Sequence, residues 1–279
     1  MDRLKSVFIS AWMSILMVGA ARSGWLLYND PSLTAWYWVL LGMLAPLLFF
    51  AWVFGANVAR TQTATKVIFG ITILALVATV LSAGASPEAL AWVLVVGVIG
   101  TALYEWWYSS FGGRSTDILG VGQTLPSLEF TNADGAAIKT ESLNKPMLMI
   151  FYRGNWCPLC MAQIKEIAGQ YRELAEKGVE IMLVSPQSQS HTVSLAQRFD
   201  APMSFLVDQD NAMAKRLGIA AENGLPSGLQ VLGYDSDTVM PTVIMTDAAG
   251  KILFADLTDN YRVRPEPEVF LQVFAQAGI

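Results

Sequence analysis

The sequence predicts an α-helical membrane domain of about four transmembrane helices followed by a soluble α/β domain, and three observations carry that prediction. First, 53% of the 279 residues are hydrophobic and the mean hydropathy is +0.42, an excess confined to roughly the first 110 residues. Eight of the nine tryptophans precede Arg114. Second, charge is concentrated in the other half: residues 115–279 carry twelve Lys or Arg against nineteen Asp or Glu, a net of −7. Third, strand signals alternate with helical periodicity once the apolar half ends. The implied division is a transmembrane domain over 1–111, a linker over 112–120 and the α/β domain over 121–279.

Four apolar stretches have the roughly 20-residue length needed to cross a bilayer: Val7 to Leu27, Ala35 to Ala59, Val67 to Gly84 and Ala89 to Tyr108. Asn29-Asp30-Pro31, the polar run from Arg60 to Lys66, and Ser86-Pro87-Glu88 separate them. Arg3 and Lys5 ahead of the first stretch, with Gly19-Ala20-Ala21 inside it, also fit a signal peptide. The return of apolar residues at Trp25-Leu26-Leu27 favours a retained helix. Arg3, Lys5, Arg60, Lys66 and Arg114 all fall on one side of a four-span arrangement, which puts the soluble domain on the cytoplasmic side of a multi-pass cell-membrane protein. Arg22 is the exception and reads as a cation snorkelling from a helix end.

The spans carry neither Cys nor His, so they offer no thiol relay or histidine-ligated haem. Glu105 beside Trp106, Trp107 and Tyr108 reads as an interfacial residue of an aromatic belt, and Gly97, Gly100 and Ala102 as helix-packing positions. The lipid bilayer is the one partner this half implies. With no basic stripe in the soluble half, nucleic acid is excluded as a partner.

Gly112-Gly113-Arg114-Ser115-Thr116-Asp117 breaks the apolar pattern and forms the linker. Strand signals then fall at Leu128 to Thr131, Pro146 to Tyr152, Val179 to Ser185, Met203 to Val207, Thr242 to Thr246 and Ile252 to Leu257. Helical periodicity occupies Cys157 to Lys177, Thr192 to Asp200, Asn211 to Leu217 and Glu266 to Ala277. This alternation predicts a sheet covered by helices on both faces. The stretch Ala220 to Val239 is too long for an ordinary connection and is either a lid over a substrate or an insertion.

The two cysteines of the chain, Cys157 and Cys160, sit where the apolar strand gives way to a helix. Thiols at i and i+3 on a first helical turn can close and reopen a small disulfide, which makes redox chemistry the leading reading. A helix start presents orphan N–H groups and the positive end of the dipole to Cys157, favouring its thiolate, and Arg153 adds a nearby cation. Pro158 lacks an N–H where none is needed. Cys160, one turn further in, should be less exposed and less acidic. Exchange requires the Cys157 sulfur to be ionised and solvent-reachable; two sulfurs sealed in the interior would leave only an anchored globular module unless a cover over them opens.

Phe151-Tyr152-Arg153-Gly154-Asn155-Trp156-Cys157-Pro158-Leu159-Cys160, Asp208-Gln209-Asp210 running into Leu217-Gly218-Ile219, Met240-Pro241-Thr242 leading to Asp247-Ala248-Ala249-Gly250-Lys251-Ile252, and Tyr261 to Pro267 together resemble the peroxiredoxin-like (AhpC/TSA-type redoxin) branch of the thioredoxin superfamily. The resemblance covers Val121 to Ile279 and implies a thioredoxin-like fold. It implies that Cys157 attacks and Cys160 resolves, and that the Met240-Pro241 bond is cis and packs on the cysteine pair. The Met240 backbone would then pair with an extended substrate. Taken alone, Pro241 reads as a proline opening a strand. Trp156 shields the thiols or simply packs. Tyr261, Arg262 and Arg264 match the family but carry no derivable role.

Departures from the family separate the enzymatic readings. Peroxide-reducing members place a hydroxyl residue three positions before the attacking Cys, and an arginine just before the strand that ends here at Asp247; this chain has Gly154 and Pro241. Thioredoxins carry a buried carboxylate where this chain has Phe151. The leading function is therefore a membrane-anchored thiol–disulfide oxidoreductase acting on a thiol or disulfide protein, fed by an unknown electron donor. A thiol-dependent peroxidase is the enzymatic alternative, and a membrane scaffold or redox-sensing module is the alternative of another class. No cofactor is called for. A bare Cys-x-x-Cys also suits half a zinc site, but His191, the one histidine, reads as a solvated neighbour of a helix cap and cannot complete a metal site.

Overall fold

The computed structural model describes residues 3–279. One compact unit consists of Leu4–Asn57 with Thr61–Ser110, and a second is built mainly from Phe111–Ile279.

In the first unit, helices α1 (Arg3–Asn29), α2 (Thr34–Gly55), α3 (Gln62–Leu81) and α4 (Pro87–Tyr108) are each long and apolar enough to cross a membrane by length and composition. α4 starts on a Ser86 cap, whose Oγ accepts the Ala89 N–H at 3.1 Å, with Pro87 in the first turn. It loosens into π-helical turns over Trp92–Ile99 and Leu103–Tyr108. Small residues let these helices approach: a Cβ on Gly100 would lie 2.2 Å from Trp12 Nε1, and that indole donates to Val96 O at 2.9 Å. Arg22 does not simply snorkel, because it pairs with Glu88. Glu105 is 8% exposed, buried near the end of α4.

The second unit holds a seven-stranded sheet. Its strands are β1 (Glu129–Asn132), β2 (Ala137–Lys139), β3 (Met147–Phe151), β4 (Glu180–Ser185), β5 (Ser204–Val207), β8 (Thr242–Thr246) and β9 (Ile252–Asp256), in the order β2-β1-β5-β4-β3-β8-β9. β6 (Ala220–Ala221) and β7 (Thr238–Val239) form a separate two-stranded ribbon. β3 runs parallel to β4 and antiparallel to β8, and β4 runs parallel to β5. Parallel neighbours need crossovers, which α5 (Pro158–Glu176) and α6 (Gln189–Ala196) supply; α7 (Ala212–Arg216) and α8 (Pro267–Gln276) complete the helices.

Every residue of β3 and β8 is buried, as a sheet covered on both faces demands. Met147, Met149 and Phe151 of β3 join Met182, Val184, Leu206 and Ile244 in the main core, to which Leu119 also contributes. The alternate residues Leu148, Ile150 and Tyr152 are equally buried. α5 buries Cys160, Gln163, Ile164, Ile167 and Leu174, a helical stripe, and packs against α8. The six expected strands are present. β2, β6 and β7, of three, two and two residues, lie below the length at which periodicity can be read. β6 and β7 pair Ala220 with Val239, so the 220–239 stretch leaves and rejoins the domain at one point.

Candidate active site

The C-terminal end of β3 leads through Tyr152 to Trp156 into the start of α5. Gly154 enables this turn: its φ is +147°, and a Cβ there would stand 2.7 Å from Trp156 Nε1. Cys157 caps α5, its Sγ accepting the Cys160 N–H at 3.3 Å, with Pro158 in the first turn. Sequence spacing alone places the two thiols together here.

Exposure differs from expectation. Cys157 is 2% exposed and Cys160 0%, so neither sulfur is open to solvent in this state. The reason lies in what converges on them. Arg153, 4% exposed, lays its guanidinium over the rings of Trp156 at 4.6 Å and Tyr261 at 5.6 Å and donates to Gly224 O in the 220–239 stretch. From the C-terminal segment, Arg264 reaches Cys160 Sγ at 3.5 Å and Gln163 Oε1 at 2.7 Å. Trp156 is half-buried.

The order of acidity is also reversed from the sequence reading. Burial, then the hydrogen bond to Cys160 and the charge there, push the Cys157 thiol well above its ordinary range, against the pull of Arg264 and Arg153. Burial raises Cys160 too, but the hydrogen bond from Cys157, the Arg264 charge, and the backbone N–H and charge of Arg153 outweigh it and bring Cys160 down to about 5. The two thiols are thus coupled, Cys157 pushed up and Cys160 pulled down. Burial, followed by the charge on Cys160, keeps the Tyr152 phenol neutral far above its usual range.

Around the turn, Gln187 accepts the Asn155 N–H at 2.9 Å and donates to Tyr152 Oη at 3.1 Å. Thr238 Oγ1 donates to Arg153 O at 2.8 Å, tying β7 to the same turn. His191 sits apart as a cap neighbour: its N–H is accepted by Ser188 Oγ at 3.4 Å and its ring stacks on Tyr234. Among the described residues no group of three His, Cys, Asp or Glu could hold a metal.

Met240 and Pro241 correct a further expectation. There is no cis peptide bond among the described residues, so the Met240-Pro241 bond is trans. The Met240 N–H is spent on Ile219 O at 2.8 Å, and Pro241 O accepts from Arg114 Nη1 at 3.2 Å. The backbone here is already paired within the chain and offers no free edge to an extended substrate. Arg264 matched the family block without a derivable role because Cys160, which it reaches, lies 104 positions away, and Gln187, which holds Asn155 and Tyr152, had no local motif to mark it.

A sequence model of the AhpC/TSA family matches residues 121–255. The chain is 26% identical over 102 residues to a chloroplastic peroxiredoxin Q of Populus jackii, covering 36% of this chain and 48% of the relative, so it spans about half of that protein's length. It is 20% identical over 161 residues to the thiol-disulfide oxidoreductase ResA of Bacillus cereus, covering 57% of this chain and 80% of that one. Among solved structures, the AhpC of Enterococcus faecalis superimposes with a TM-score of 0.47 at 17% identity, over 57% of this chain and 92% of that one. The apolar helices lie outside the family match, and the C-terminal domain is a redoxin domain of the AhpC/TSA family.

Proposed function

We propose that the chain is a membrane-anchored thiol–disulfide oxidoreductase in which Cys157 is the outer, exchanging sulfur and Cys160 its partner, with the redoxin domain on the cytoplasmic side. One observation carries the reading: the two cysteines of the chain meet across the first turn of α5, where the Cys157 sulfur accepts the Cys160 N–H. When Cys157 attacks a substrate disulfide, its proton passes to the Cys160 sulfur and one substrate thiolate departs. Cys160 then gives that proton to the departing thiolate and attacks Cys157, closing the internal disulfide and releasing the second substrate sulfur. Arg153, Trp156 and Pro158 support the turn. Met240 and Pro241, whose backbone groups are paired within the chain, offer no substrate-binding edge. Four apolar helices and the cations Arg3, Lys5, Arg60 and Lys66 support anchoring and sidedness.

Because both sulfurs are sealed, exchange with a protein requires the cover at Arg153 and Trp156 to open. A second reading, a thiol peroxidase, needs a smaller opening of the same cover, since a hydroperoxide takes less room than a protein disulfide. Full-length protein in detergent separates the readings. Cys160→Ser should accumulate mixed disulfides through Cys157, and Cys157→Ser should not. Rapid sulfenic acid formation at Cys157 with hydrogen peroxide, outpacing exchange, would favour the peroxidase. Absence of multiple turnover in either assay with a thioredoxin-reductase system would leave a scaffold or sensor.

A further inference from the structure

Arg264 is 5% exposed and buried beside the thiols, yet no carboxylate pairs with it among the described residues. Nη1 donates to Gln163 Oε1 at 2.7 Å, Nη2 faces Cys160 Sγ at 3.5 Å, and Nε has no partner. A guanidinium cannot shed its proton, and burying it without a counter-charge is strongly unfavourable. The Cys160 sulfur is the group placed to supply that charge. It does so only while the pair is reduced.

We propose that Arg264 is a positioning residue that makes the Cys157–Cys160 disulfide an electron acceptor: its buried charge is neutralised by the Cys160 thiolate in the dithiol state and stranded in the disulfide state. This rests on the exchange reading above and favours the reverse of the step written there, with the internal disulfide oxidising substrate thiols. A substrate thiolate attacks the outer sulfur, Cys157, and the Cys157–Cys160 bond breaks, with Cys160 leaving as a thiolate next to Arg264. A second substrate thiol displaces the first from Cys157, which recovers a proton. In sum, one internal disulfide and two thiols give Cys157–SH, Cys160–S⁻, one substrate disulfide and one released proton. Two electrons move from the substrate into the pair. A leaving group held as a stable thiolate departs faster, so the same contact serves rate and equilibrium. The charged and titratable groups facing the pair are Arg264 from the C-terminal segment, and Arg153 and Tyr152 from the end of β3.

The test equilibrates the full-length protein in detergent with glutathione buffers and measures the dithiol fraction by alkylation. Arg264→Met should shift the equilibrium toward the disulfide at least tenfold, which is about 30 mV for a two-electron couple. It should also remove thiolate absorbance near 240 nm, and Arg264→Lys should restore most of both. In the wild type the released proton predicts a tenfold rise in dithiol-to-disulfide ratio per pH unit between about pH 6 and about pH 8, where glutathione stays mostly protonated. This arm needs no variant to fold. A pH-independent ratio, or an Arg264→Met protein matching the wild type in ratio and absorbance, overturns the inference while leaving the exchange reading intact. If the wild type forms no Cys157–Cys160 disulfide in any buffer, the exchange reading fails and takes this inference with it.

Discussion

Gly154→Ala is the most discriminating perturbation of the turn that carries the thiols. The φ of +147° is unfavourable for any side chain, about 1–3 kcal/mol. The added Cβ would start 2.7 Å from Trp156 Nε1 and 2.9 Å from Cδ1, so the indole must retreat by about 0.8 Å to reach ordinary contact. That motion loosens the Arg153 guanidinium stacked 4.6 Å from the ring, a further 0.5–1 kcal/mol or about that. The expected destabilisation is about 2–4 kcal/mol, which at a typical urea slope moves the midpoint down by about 1–2 M. Because Cys157 and Cys160 are the chain's two cysteines and both are buried in the redoxin domain, pulsed thiol labelling across a urea series reports that domain without interference from the apolar helices. Gly178→Ala is the control: its φ is +71° with nothing within 4 Å of a Cβ, so only a backbone cost of about 1–2 kcal/mol applies. Equal midpoints for Gly154→Ala and Gly178→Ala would refute the argument that Trp156 is pressed against the backbone of the turn.

Two other outcomes follow from the same structure. Asp208, 1% exposed, accepts the N–H groups of Met213 and Ala214 at 2.8 Å each, so Asp208→Ala should cost about 2–4 kcal/mol in the same labelling assay; a loss below about 0.5 kcal/mol would show those bonds to be replaceable by water. The dithiol form should also carry a pH signature that the disulfide form lacks. Cys160 is lowered to about 5 in the fold, so its stabilisation is complete above the ordinary thiol value of about 9 and is lost progressively as pH falls toward 5. Cys157 is raised, so its contribution is intact below the ordinary thiol value and is lost as pH rises above it. Urea midpoints of reduced protein, less those of oxidised protein, should therefore climb from about pH 5 and turn over near the ordinary thiol range; a flat difference would contradict these opposed shifts.

Much of the site was legible because it is local. The cap at Cys157, Pro158 in the first turn and the i, i+3 thiol spacing all lie within one helical turn, where chain geometry decides who meets whom. The state of the sulfurs was not legible. The dipole argument favours ionisation of Cys157, yet burial raises both thiols, and Cys160 is brought back down by the hydrogen bond from Cys157 and then by Arg264, more than a hundred residues further along. The trans bond before Pro241 is a second case: Ile219 and Arg114 claim the neighbouring N–H and carbonyl, and neither is near Pro241 in sequence.

Composition and periodicity by themselves determined four bilayer-length apolar helices, an acidic α/β domain behind them, and one thiol pair at a strand-to-helix junction. Those features follow from backbone hydrogen bonding and the burial of regularly spaced apolar side chains, which act over a few residues at a time. Only the tertiary structure decided that the sulfurs are sealed, that Cys160 and not Cys157 is the thiol pulled down, and that a buried arginine without a carboxylate stands against it. Electrostatics in a low-dielectric interior depends on distance through space, and folding sets those distances without regard to separation along the chain.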